Sequence, residues 1–112
     1  MEEHNLTGPP DSTVSMDGRS VTVRYRDVDI VRVGYLEVIL DAGGSRSFIM
    51  QSRLNQSARL LNLNLHLHAR RGEWTVETPS GSYEFRDGMK ILRSRGGQHE
   101  YTQYPTETEP AP

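Results

Sequence analysis

His66 and His68 are separated by a single leucine in this 112-residue chain. Along an extended strand that spacing is about 7 Å, and both side chains point to one face. Two imidazoles so placed can reach one divalent cation if a carboxylate completes the set. Strand register brings Glu77 and Glu84 closest, so His66, His68, Glu77 and Glu84 are the candidate metal ligands. The same residues could do acid–base work, with His66 and Glu77 as the proton-handling pair. A lone His-x-His carries little specificity, however, and the solvent face of any sheet is polar.

A second candidate chemistry is phosphate contact. Between Arg19 and Arg95, all 13 cationic residues meet eight acidic ones, a net of +5. The flanking segments carry seven carboxylates, which bring the whole chain to -2. Twelve of the 13 cations are arginine, which suits bidentate phosphate binding. Arg24, Arg26, Arg70 and Arg71 are the candidate nucleic-acid contacts, with Arg46, Arg53 and Arg59 spread over turns and a helix. Base stacking also needs exposed aromatics, and Trp74, Tyr83 and Phe85 fall on core positions instead. Acidic flanks serve solubility equally well.

Other signatures are missing. The chain has no phosphate-binding glycine loop, no dinucleotide fingerprint and no serine elbow. Cysteine chemistry is excluded because there is no cysteine. Nothing implies a cofactor. Asp27 and Asp29 lie beside a turn and read as turn chemistry.

The histidines can share a face only if their segment is a strand. From Leu61 to Ala69 apolar residues fall on every second position (Leu61, Leu63, Leu65, Leu67, Ala69), and that alternation argues for a half-buried strand. A helical stripe through Leu54, Ala58, Leu61, Leu65 and Ala69 competes. Turn spacing decides between them. A turn at Arg70–Glu73 pairs Ala69 with Trp74, Leu67 with Val76 and Leu65 with Thr78. A second turn at Pro79–Ser82 pairs Thr78 with Tyr83, Val76 with Phe85, and Glu77 with Glu84. A loop at Asp87–Met89, with Gly88 at positive φ, pairs Phe85 with Ile91. This register gathers Leu65, Leu67, Trp74, Val76, Phe85 and Ile91 on one face, and a one-residue slip would scatter them.

The first half is extended too. Val21, Val23 and Tyr25 alternate with polar residues, and Val31, Val33 and Tyr35 continue the pattern. Leu36, Val38 and Leu40 take the other parity, with Gly34 at the switch as a bulge or bend. A turn at Asp41–Gly44 returns the chain through Ser47–Met50, and a short helix spans Ser52 to about Leu61. The expected fold class is α+β, mostly antiparallel β: two β-meanders joined by one short helix. It would close as a small sandwich, an open barrel or a sheet backed by the helix.

Composition sets the expected boundaries. Residues 1–18 read as a flexible acidic N-terminal segment, 19–95 as a single β-rich domain, and 96–112 as a disordered acidic C-terminal tail. A body of that size with only 34% hydrophobic residues in the chain has a marginal core. Further burial would help it, and self-association is the simplest source. Without an apolar run long enough to span a bilayer, no membrane partner is expected. Without an export signal, the cytoplasm is the expected location. The expectation is a non-enzymatic protein-interaction or self-assembling module, homo-oligomeric, with itself or another protein as partner. Nucleic-acid binding by the arginine-rich body is the first alternative. A small metal-dependent or acid–base enzyme on the His66, His68, Glu77, Glu84 face is the second.

Overall fold

Two-residue turns do most of the folding work in this chain. The computed structural model describes residues 9–93, together with the backbone of two short strands at Glu2–Glu3 and Tyr101–Thr102. The strands are β1 (Glu2–Glu3), β2 (Ser12–Asp17), β3 (Ser20–Tyr25), β4 (Val28–Val33) and β5 (Glu37–Leu40). Then come the helix α1 (Phe48–Leu60) and β6 (His66–Arg70), β7 (Glu73–Thr78), β8 (Gly81–Glu84), β9 (Met89–Arg93) and β10 (Tyr101–Thr102).

The larger antiparallel sheet has five strands in the order β2-β3-β4-β5-β9, with β1 and β10 on its two edges. The smaller is the meander β6-β7-β8. The class is therefore α+β with mostly antiparallel strands, and the described residues form no closed barrel. β2 lies inside the segment 1–18 that was expected to be a flexible arm. It pairs with β3 from Ser12↔Tyr25 to Asp17↔Ser20 and buries Val14. The expected tail 96–112 lies outside the described residues except for Tyr101–Thr102.

The inner faces follow from alternation. Val23, Val31, Leu40 and Met89 align across four strands, and Val21, Val33, Val38 and Ile91 form the next row. A bulge interrupts β4: Val23 pairs with Val31 but Arg24 with Asp29, so Ile30 is the extra residue. That arrangement lets Ile30 and Val31 both be fully buried. The smaller sheet adds Leu67, Trp74 and Val76 to the same core, and Phe85, just past the end of β8, joins them. The Trp74 and Phe85 rings lie 5.2 Å apart at 57°, a tilted contact that adds to their burial. Met50, Leu54 and Ala58 of α1 complete one core. Each large side chain buried there contributes about 1.5–3 kcal/mol.

Four expectations are corrected. Phe48–Met50 is the first turn of α1, not a returning strand, because Ser47 caps a helix there: its hydroxyl accepts from the Met50 N–H at 3.1 Å. Leu61–Leu65 is not strand. The helix ends in a Schellman motif in which Leu63 N–H donates to Ala58 O (2.8 Å) and Asn62 N–H to Arg59 O (3.1 Å). Asn62 and Asn64 are both left-handed, with φ of 58° and 60°, so the apparent alternation there is a loop that buries Leu63 and Leu65. The β7–β8 loop is Pro79-Ser80 alone, and Val76 pairs with Tyr83 rather than Phe85. Lastly, β9 leaves the smaller sheet and pairs with β5, Val38↔Ile91, so Phe85 and Ile91 share the core but not a ladder.

Two other readings hold in altered form. Gly34 marks a turn: its N–H donates to Glu37 O at 2.8 Å, and Val33 then faces Val38. Tyr35 consequently sits exposed at the hairpin tip. The β6–β7 turn is Arg71-Gly72 alone, both residues at positive φ (56° and 81°), as a tight hairpin requires. It keeps the expected pairs Ala69↔Trp74 and Leu67↔Val76.

Candidate functional site

Leu67 is fully buried, so pleating turns its neighbours His66 and His68 outward. Their rings meet edge-on with centroids 4.6 Å apart. On the adjacent strand Glu77 pairs with His66 and Thr75 with His68, as the spacing predicts. Glu77 nevertheless reaches diagonally: its Oε1 lies 3.1 Å from His68 Nε2, with both side chains about half exposed. At that exposure the pair contributes at most about 1 kcal/mol.

Glu84 does not join them. The shorter Pro79-Ser80 loop moves β8 by two residues, which places Ser82 opposite Glu77 and Glu84 opposite Thr75. Glu84 approaches Arg86 at 3.8 Å instead. Among the described residues, no group of three or more His, Cys, Asp or Glu is placed to hold a metal ion. The sheet thus assembles a His66–His68–Glu77 cluster and leaves the fourth candidate aside.

Beside this cluster lies a groove of about 760 Å³ between the end of α1 and the β6–β7 ladder. Arg59, Asn62, Asn64, His66, Glu77 and Thr78 supply its polar wall. Neither asparagine belongs to a recognisable motif in the sequence. Their signal was a polar residue able to hold positive φ just beyond a helix, which is what asparagine does.

The candidate phosphate contacts are divided between the sheets. Arg24 Nη1 is held by Asp29 Oδ1 at 2.9 Å, and Arg26 stacks over Tyr25 at 5.2 Å with Asp11 at 3.9 Å. Arg70 and Arg71 sit at the β6–β7 turn. Arg46 has a structural role: its guanidinium lies over Trp74 (5.1 Å) and Phe85 (4.8 Å) and pairs with Asp87 at 3.3 Å. Asp87 in turn accepts from Ala42 N–H at 2.7 Å and Gly44 N–H at 3.1 Å, pinning the loop before α1.

The most conspicuous apolar exposure is at the start of α1. Phe48 is 77% and Ile49 52% exposed. Tyr35 and Leu36 form a second exposed pair at the β4–β5 turn. No helix among the described residues is long and apolar enough to cross a membrane. No protein-family model matches the sequence, and comparisons with curated proteins and with solved structures give no match, so the reading of this site rests on the chain's own residues.

Proposed function

We propose that this chain is a non-enzymatic protein-interaction module that associates with copies of itself, in the cytoplasm. The supporting observation is the pair Phe48 and Ile49, adjacent and solvent-facing in the first turn of α1. That turn carries no acidic residue, although the helix dipole favours one there. Large apolar side chains left so exposed gain little in the monomer. Each contributes about 1.5–3 kcal/mol once covered, and a two-fold interface counts every contact twice. The thin core expected from composition gives the association a further stabilising role.

Light scattering coupled to size exclusion, over a range of concentrations, tests this directly. The wild-type mass should rise above that of a monomer as concentration increases. Phe48→Ser combined with Ile49→Ser should stay monomeric with an unchanged circular dichroism spectrum, since serine suits the start of a helix. A monomer at every concentration would defeat the proposal. So would an oligomer that the double substitution leaves intact while Tyr35→Ser with Leu36→Ser also leaves it intact.

A further inference from the structure

The groove between α1 and the smaller sheet is lined by several side chains that can donate hydrogen bonds. Glu77, the carboxylate on its wall, turns one oxygen, Oε1, to His68 Nε2 at 3.1 Å. Three carbonyls of the last helical turn also accept backbone hydrogen bonds. Ser57 O accepts from Leu61 N–H (3.0 Å), Ala58 O from Leu63 N–H (2.8 Å) and Arg59 O from Asn62 N–H (3.1 Å). Four of the remaining side chains can donate hydrogen bonds. The Arg59 guanidinium, the Asn62 and Asn64 amides and the His66 ring are solvent-exposed, and all line one groove. Leu65, Ala58 and Pro79 add a small apolar surface beside them.

We propose that this groove binds a small organic anion, whose phosphate or carboxylate groups are held by Arg59 and His66 while the asparagine amides take further oxygens. The groove is broad and open to solvent, so affinity would come from these polar groups rather than from enclosure. Arginine's planar fork matches either anion in bidentate fashion. The apolar patch would carry a ring or short carbon skeleton, so a bare inorganic ion should bind more weakly. The site is separate from the apolar start of α1 and does not depend on self-association.

Titration of the full chain, followed by ¹⁵N–¹H NMR at low ionic strength in phosphate-free buffer, provides the test. Inorganic phosphate, adenosine monophosphate and citrate are the three probes. Adenosine monophosphate or citrate should give saturable shifts confined to residues 58–66 and 77–79, and the tighter of the two identifies phosphate or carboxylate as the preferred group. Arg59→Gln should weaken that binding about tenfold or more. Asn62→Gly with Asn64→Gly removes both amides at positions whose left-handed backbone glycine adopts freely, so it should preserve the fold and weaken binding too. Shifts that fail to saturate, or that scatter over the surface arginines, would overturn the proposal. Saturable binding that both variants leave unchanged would do the same.

Discussion

Asn55 offers the sharpest test of how helix and sheet are joined. It is the one buried amide on α1, and it treats Leu67 as a neighbouring strand would. Its Oδ1 accepts from Leu67 N–H at 2.8 Å and its Nδ2 donates to Leu67 O at 3.0 Å. Asn55→Ala strands the Leu67 N–H in a buried setting, which costs about 1–3 kcal/mol. The Leu67 carbonyl keeps a partner, because Gln51 Nε2 also donates to it at 3.2 Å. A small void adds roughly 1 kcal/mol, for a total of about 2–4 kcal/mol. In a domain this small that corresponds to a fall in Tm on the order of 10–25 °C. Urea unfolding followed by circular dichroism measures the cost, and hydrogen exchange at the Leu67 amide measures its cause. Asn55→Asp should be damaged as well, since a carboxylate faces the Leu67 carbonyl. It should recover towards wild type in acid, where the protonated carboxyl can donate. A cost under about 0.5 kcal/mol for Asn55→Ala, or an unchanged exchange rate at Leu67, would refute the clamp.

Two smaller predictions concern the loop between β5 and α1. A Cβ on Gly43 would meet Val28 Cγ2 at 2.8 Å with φ at +62°, whereas one on Gly44, at φ +86°, meets nothing within 4 Å. Gly43→Ala should therefore cost about 2–3 kcal/mol and Gly44→Ala about 1 kcal/mol by urea unfolding; equal costs would disprove the Val28 contact. Asp87→Ala removes the acceptor of Ala42 and Gly44 N–H and the partner of Arg46. It should lower stability by about 2 kcal/mol, with Asp87→Asn losing less because one acceptor oxygen remains.

Strand alternation carries one kind of information and lacks another. It correctly assigned Leu67, Trp74, Val76, Phe85 and Ile91 to the interior and His66, His68 and Glu77 to the solvent side, because side-chain parity is a local property of the pleat. A two-residue change of register preserves parity. Hence the Pro79-Ser80 loop escaped notice, and with it the separation of Glu84 from Glu77. Parity is equally blind to which sheet receives a strand, so it cannot tell β8 from β5 as the neighbour of β9. The helix start was hidden for another reason: Phe48 and Ile49 face solvent, and an apolar stripe cannot announce a turn whose apolar residues are exposed. Leu61–Leu65 mimicked a strand because two asparagines in left-handed conformation alternate with buried leucines. The groove is a tertiary product of the α1 end and β6–β7, with no single segment to betray it.

The placement of β9 has a consequence for how the molecule comes into being. β5 is flanked on one side by β4, next to it in sequence, and on the other by a strand that emerges some fifty residues later, Val38 meeting Ile91. During synthesis the amino-terminal meander must therefore wait, its Val38 and Leu40 ladder open, until the entire second meander has left the ribosome. Closure over so long a loop is slow compared with hairpin formation. A nascent or truncated chain lacking residues 89–93 would present an unsatisfied hydrophobic strand edge to its neighbours, the kind of surface that chaperones exist to shield.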